Sequence, residues 1–325
     1  MKRRDFINLL GQGLALSPLA ARAQQKARLP VVGAIMGFSP IAPLAQERVK
    51  VFDQALADLG WSRGRNIQVD YRWAEFSDLP AAATALVASK PDVILANGTS
   101  GLAAIRAATN SIPVVFVGIS DPEGVGVVTN LARPGGNMTG VANFEPPMGG
   151  KWLQTLKEIA PRLTRIGVLR LGKTHPRILD SVVTDGAASR TDVVDCSVRD
   201  EGGLRTAIGA FDGQSTTGLI VLPDPFFTIY QSTIFELAAK QRHPAIYPFR
   251  SFAEAGGLIS YGIDILDQTR RCASYVDQIL RGARPGDLPV QAPTKFEMVI
   301  NLETARTLGL DVSPALLARA DEVIE

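Results

Sequence analysis

The chain has 325 residues, 46% of them apolar and 20% charged, with 34 Lys plus Arg against 32 Asp plus Glu and a formal net charge of +2. That balance suits a globular protein able to bury a core without metal or disulfide, and the length suits two domains or lobes. It excludes charge-driven capture of nucleic acid or anionic membrane, because no basic block interrupts the body of the chain.

The N-terminus carries a basic head, Lys2, Arg3 and Arg4, then an apolar stretch from Phe6 to Ala21, then Ala21-Arg22-Ala23. A positive head, a short apolar middle and a small-x-small end make a signal peptide over residues 1–23. The apolar middle falls short of the roughly 20 residues that span a bilayer. Arg3-Arg4-Asp5-Phe6-Ile7 also fits a twin-arginine signal. The head and Arg22 against Asp5 carry a net +3, so removal takes the chain from +2 to −1. The mature protein is expected to begin at Gln24 and to be periplasmic.

From Pro30 a β/α rhythm sets in. Val31 to Met36 is a continuous apolar run, the mark of a strand buried on both faces. Gln46 to Leu59 has helical periodicity and stops at Gly60. Ile67 to Trp73 alternates as a strand, Leu79 to Ser89 is an alanine-rich helix, and Val93 to Ala96 is a buried strand. After the polar turn Asn97-Gly98-Thr99-Ser100, Ser100 can cap a helix running to Thr109, and Val114 to Val117 is the next strand. Such a series predicts a parallel sheet with right-handed crossovers.

Between Ser120 and Gly150 the rhythm breaks in a Gly- and Pro-rich stretch, which predicts a lobe boundary. A second series follows: a helix over 151–159, a strand over 166–171, a helix over 204–211, a strand over 219–222, a helix over 229–241, and strands over 245–247 and 258–261. A helix over 268–280, a linker over 285–293, a strand over 296–300 and helices over 302–308 and 314–324 complete it. The fold class is α/β with two lobes, each a parallel sheet flanked by helices, and a ligand cleft between them.

Two histidines, His175 and His243, exclude a His-rich zinc centre and any H-E-x-x-H protease. Cys196 and Cys272 stand 76 positions apart, neither a C-x-x-C pair nor a zinc knuckle, and read as small buried residues before they read as a disulfide. No metal and no cofactor is expected. Gly167 to Thr174 matches the letters of a phosphate-binding loop, but its four middle residues are themselves a strand, so no nucleotide site is expected there.

Polar residues gather instead at strand tips. In the first half they are Ser39, Asn97, Thr99, Ser100 and Asp121, and in the second Asp224, Arg250, Tyr261 and Asp264. Ser, Asn and Asp also serve turns and helix caps, but their shared position at carboxyl ends of strands points to ligand binding. The start of the 100–109 helix is a natural carboxylate site, an acid can take an ammonium, and Arg250 a second anion.

The chain resembles the family of ABC-transporter substrate-binding proteins that includes tryptophan- and tyrosine-binding members. The resemblance rests on Asp121-Pro122, Leu131-Ala132-Arg133-Pro134-Gly135-Gly136-Asn137-Met138-Thr139-Gly140, and Ala255-Gly256-Gly257-Leu258-Ile259-Ser260-Tyr261-Gly262. Leu288, Pro293-Thr294-Lys295-Phe296, Asn301-Leu302 and Ala320-Asp321-Glu322-Val323-Ile324 extend it, while 172–200, short and polar, departs most. It implies the type I periplasmic-binding-protein fold with three interlobe crossings and no catalysis. The expected lobes are 24–143 plus 264–292 and 144–263 plus 293–325. The expected function is a monomeric periplasmic receptor that passes a small solute, an amino acid or another small carboxylate, to an inner-membrane ABC permease. Two alternatives are a periplasmic sensor domain and an exported hydrolase using Ser100, which needs His175 or His243 within reach of its hydroxyl.

Overall fold

The computed structural model describes residues 28–325 apart from Phe38, Glu75 and Phe76, so the expected signal peptide lies outside the described residues. The continuous apolar runs become interior strands. β1 (Val31–Met36), α1 (Pro43–Asp58), β2 (Gln68–Trp73), α2 (Leu79–Ala88), β3 (Val93–Asn97), α3 (Gly98–Ala108), β4 (Val114–Ile119) and β5 (Met138–Ala142) follow one another. Their five strands form an all-parallel sheet in the order β2-β1-β3-β4-β5. β2, at an edge, is the one that alternates; β3 is buried along its whole length.

α4 (Met148–Ile159) opens the second unit, followed by β6 (Arg165–Leu171), α5 (Pro176–Ala188), β7 (Asp192–Val198), α6 (Glu201–Gly209), β8 (Thr217–Val221), α7 (Pro225–Ile229), α8 (Gln231–Gln241), β9 (Ala245–Tyr247), α9 (Arg250–Glu254) and β10 (Ile259–Ile263). Next come α10 (Ile265–Leu280), β11 (Phe296–Asn301), α11 (Leu302–Leu308), α12 (Pro314–Leu317) and β12 (Glu322–Ile324). The seven strands pair in the order β12-β11-β10-β9-β8-β6-β7, parallel except where β11 meets β10. The two parallel-dominated sheets flanked by helices are the expected α/β class.

α10 does not pack on the sheet it follows. Cys272, Ala273, Val276 and Ile279 lie on its buried stripe and join Val32, Ala34, Phe52, Leu95 and Val117 in the core under the first sheet. Fully burying an aliphatic side chain is worth about 1.5–3 kcal/mol, so this stripe anchors the helix firmly. α4 does the converse. Trp152, Leu153 and Leu156 join Ile166, Val168 and Ile246 under the second sheet. The chain therefore passes between the sheets three times: after Ala142, at Asp264 and after Gln291. The segment near Gln291 also lies along β5, exchanging hydrogen bonds with Gly140 and Ala142, which covers that edge of the first sheet.

Some elements differ from expectation. β5 runs through the Gly- and Pro-rich stretch that reads as a break, and α5 and β7 fill the region 172–200 that reads as short and polar. α3 begins at Gly98 with Asn97 as its N-cap residue, so Ser100 lies inside the first turn and does not cap. The expected last helix is a single turn, Pro314–Leu317, followed by a strand. The cysteines are free and buried, Cys196 in β7 and Cys272 in α10. Among the described residues no helix is long and apolar enough to cross a membrane.

Candidate functional site

Strand order locates the site. In an open parallel sheet, loops on either side of the point where the order reverses run in opposite directions and leave a crevice at the carboxyl ends. The first sheet reverses between β1 and β3, and the second between β6 and β8. The segments at these points are residues 37 and 39–40 with the β3–α3 junction at 97–100, and residues 172–175 with 222–224.

At the first point Ser39 is exposed after β1. Asn97 is buried at the tip of β3, where its Oδ1 accepts a hydrogen bond from Arg48 Nη1 at 3.1 Å. It makes no side-chain cap, so the first-turn N–H groups of α3 have no partner from the N-cap side chain. Gly98 has φ +73°, a left-handed conformation that a side chain disfavours. Thr99 and Ser100 set two half-buried hydroxyls in that turn. Next to it, beyond β4, are Ser120 and Asp121. Both are buried, Ser120 Oγ and Asp121 Oδ2 have no protein partner, and Asp121 has φ +48°. Asp121 Oδ1 accepts from Gly124 N at 3.2 Å and from Arg177 Nη1 at 2.8 Å. Arg177 belongs to α5, so this ion pair joins the two halves. A Cβ at position 124 would fall 2.0 Å from Asp121 Oδ2 and 2.8 Å from Arg177 Cδ, so glycine is what lets the two meet.

The second point is made of titratable groups. His175, 3% exposed, precedes α5 in a left-handed conformation, and its Nε2 lies 2.8 Å from Pro223 O. Burial disfavours the imidazolium and lowers the pKa to about 4. The ring is therefore neutral at pH 7. Its bond to a carbonyl places the proton on Nε2 and leaves Nδ1 an acceptor, one without a protein partner. Asp224, 8% exposed, caps α7 by accepting from Phe226 N at 2.9 Å, and burial raises its pKa to about 6.

The remaining sequence candidates have other partners. Arg250 is ion-paired with Glu254 and Glu297, at 2.7 and 3.1 Å, and with Glu322, so three carboxylates share the charge expected to hold an anion. Tyr261 lies within β10, where its carbonyl accepts from Trp152 Nε1 at 2.6 Å and its ring tilts against Phe296. Asp264 caps α10 through Leu266 N and Asp267 N and holds Lys295 Nζ at 2.7 Å. Burial works to raise its pKa, but those hydrogen bonds outweigh it and the net shift is downward. The structure thus brings Ser39, Asn97, Thr99, Ser100 and Asp121 to the tips of one sheet and Asp224 to the tip of the other, and ties Arg250 and Asp264 into networks of their own.

The sequence sets Ser120 beside Asp121 at a strand tip without making it a binding candidate, offers His175 only as a base for the hydrolase alternative, and assigns Arg177 no role. The one signal for His175 is the following proline, suited to the first turn of a helix. It marks the start of α5, and burial of the ring is not legible from it. The hydrolase reading finds no support: burial leaves His175 a weak base with its pKa lowered to about 4, no hydrogen bond joins Ser100 to a histidine among the described residues, and His243 sits before β9, at the far end of the sheet from the strand tips. The letters resembling a phosphate-binding loop span β6 itself, as expected, although a helix does start shortly after them. Among the described residues no cluster of His, Cys, Asp or Glu could hold a metal ion.

Comparison with known proteins agrees with this geometry. The chain is 27% identical over 273 residues to a tyrosine-binding protein of Clostridioides difficile (strain R20291), covering 82% of this chain and 78% of that one. A conserved domain protein of Vibrio cholerae superposes with a TM-score of 0.83 at 25% identity, over 91% of this chain and 99% of that chain. An ABC domain of Streptococcus pneumoniae in complex with L-Trp superposes with a TM-score of 0.82 at 24% identity, over 91% and 100%. The model of the family described as ABC transporter substrate binding protein matches residues 42–324, which takes in the second switch point and all three crossings; with two sheets facing each other across polar strand tips, this chain belongs to that family.

Proposed function

We propose that the solute is an amino acid, aromatic ones included, or another small carboxylate, held in the cleft between the two sheets. As a substrate-binding protein the chain binds a small molecule and delivers it to an ABC permease. The observation that carries the proposal is the pairing of unlike switch points: hydroxyls and backbone donors of residues 97–100 on one side, His175 and Asp224 on the other. A ligand carboxylate suits the first turn of α3, and an ammonium suits Asp121 or Asp224. Ser39 and Tyr261 line the approach, while Arg250 and Asp264 hold the walls. The tyrosine and tryptophan named for the relatives support the class. A ligand that touches both lobes favours the closed form by its differential affinity.

The lobes in this reading are 24–143 plus 264–292 and 144–263 plus 293–325, and the packing of α10 under the first sheet supports that division. The protein acts as a periplasmic monomer after cleavage behind Ala23, for which mass spectrometry of the exported form should give Gln24 as first residue. The decisive experiment is a thermal-shift screen with the amino acids and with aromatic acids. A ligand at 100 times its dissociation constant adds about 2.7 kcal/mol of stability. A flat response across both sets rejects the ligand class.

A further inference from the structure

One helix, α10, makes side-chain ties to all three connections between the lobes. Asp264, at the second crossing, caps α10 and pairs with Lys295 of the third crossing at 2.7 Å. One turn later Gln268, 2% exposed, donates to Ala142 O at 2.6 Å, the last residue before the first crossing. Arg271, three residues further, donates to Gln291 Oε1 at 2.7 Å, Ala292 O at 3.0 Å and Thr294 Oγ1 at 3.4 Å, all on the third crossing. Gln291 in turn pairs through its backbone with Gly140 and Ala142. Tyr275 donates its hydroxyl to Pro289 O. Positions 264, 268, 271 and 275 are spaced i, i+4, i+7 and i+11, a single stripe of the helix.

We infer that this stripe of α10 is a hinge clamp: Gln268 and Arg271 are positioning residues that couple the three crossings, so that the lobes turn about one shared axis and the free protein keeps a narrow range of opening. The ties fix the chain at Ala142 and Gln291–Ala292 on the first-lobe side, leaving the bend to residues 143–147, 263–264 and 293–295. Pro146, Pro147 and Pro293 stiffen the first and third of those segments further. Asp264–Lys295 lies wholly within the bending zone, which Arg271 reaches only through its long bond to Thr294 Oγ1. Its lysine is exposed, so it trims the motion more weakly than the buried Gln268 bond does. The clamp touches no residue proposed to meet the ligand except Asp264, and it acts whatever the ligand is.

The test is made without ligand, on the full mature chain, by double electron–electron resonance between spin labels at Thr84→Cys and Arg199→Cys, exposed sites on α2 and just after β7. The two native cysteines are buried and stay out of the labelling. The labelled parent should give one narrow distance peak. Gln268→Ala and Arg271→Ala should each broaden it and shift it to longer distances, Arg271→Lys should fall between, and Lys295→Ala should move it least. Unchanged distances in Arg271→Ala and Lys295→Ala, with far-ultraviolet circular dichroism matching the parent, overturn the clamp. Gln268 is buried, so if Gln268→Ala fails to fold, the two surface-reaching variants decide alone. A failed ligand screen leaves this result standing, because no ligand enters the measurement.

Discussion

The two strand-tip regions that face each other across the cleft are built from different chemistry. On the first sheet Ser39, Asn97, Thr99 and Ser100 offer hydroxyls, an amide and helix N–H groups, none of which changes charge near neutral pH. On the second, His175 and Asp224 are buried titratable groups whose pKa values are moved in opposite senses, to about 4 and about 6. The turn at residues 97–100 thus presents a fixed field, and the facing pair His175 and Asp224 a protonation state. A protein that must take up and then release its cargo gains from keeping one wall constant while the other remains adjustable.

The largest expected effect separates those walls by pH. The folded His175 pKa lies below its unfolded value of 6.5, so the unfolded chain binds more protons between about pH 4 and 6.5 and this group makes stability rise with pH across that window. Asp224 is raised from 3.8 to about 6, so the folded chain binds more protons there and stability falls as pH rises. Each shift corresponds to roughly 3 kcal/mol, and the two nearly cancel. His175→Asn, which keeps a residue tolerant of the left-handed conformation, should unmask the Asp224 slope, and Asp224→Asn, which can still cap α7, should unmask the opposite one. Denaturant melts at pH 4.5, 5.5 and 7 measure both; parallel curves for parent and variants break the contrast between the two lobes.

A smaller effect is expected on the constant wall. Ser100→Ala removes one hydroxyl and leaves the backbone donors, so it should weaken binding of L-tyrosine or L-tryptophan, whichever the screen selects, by about 1–2 kcal/mol, or roughly five- to thirtyfold. The loss should be the same at pH 5 and pH 7, in contrast to that of Asp224→Asn. Calorimetry at both values sharpens the comparison, and a loss that varies with pH would move Ser100 into the titrating network. Smallest of all, Ser39→Ala should leave stability within about 0.5 kcal/mol, since the residue is exposed and free of buried partners. A larger drop in the melting experiment would show that its loop is part of the fold.

The sequence makes one wall far more legible than the other. Interior strands of a parallel sheet are continuous apolar runs, so β1, β3 and β4 stand out, and the polar turn that breaks the run after β3 marks its own tip. β7 is an edge strand with charges facing out, β5 sits among glycines and prolines, and β12 has three residues, all below what a pattern can reveal. Without β7 the reversal between β6 and β8 cannot be placed, and with it goes the second half of the site. Arg250 and Asp264 show the opposite failure. A charge at a strand tip reads as a ligand contact, and only three dimensions show Glu254, Glu297 and Glu322, or Lys295, already in place.

The placement of α10 also sets an order of events in the life of the chain. The core beneath the first sheet closes only when Cys272, Val276 and Ile279 dock against Val32, Phe52 and Leu95, and Trp61 donates to Asp277 across 216 positions. A nascent chain that has emerged through β5 owns five strands with one face covered only in part, by α1, and waits through more than a hundred further residues for the helix that seals it. Contacts so distant are slow to form, and the intermediate exposes apolar surface that invites aggregation or chaperone binding. Amino-terminal folding therefore lags synthesis in this architecture, and a chain stopped short of residue 280 leaves its first half unfinished even though every strand of that half is present.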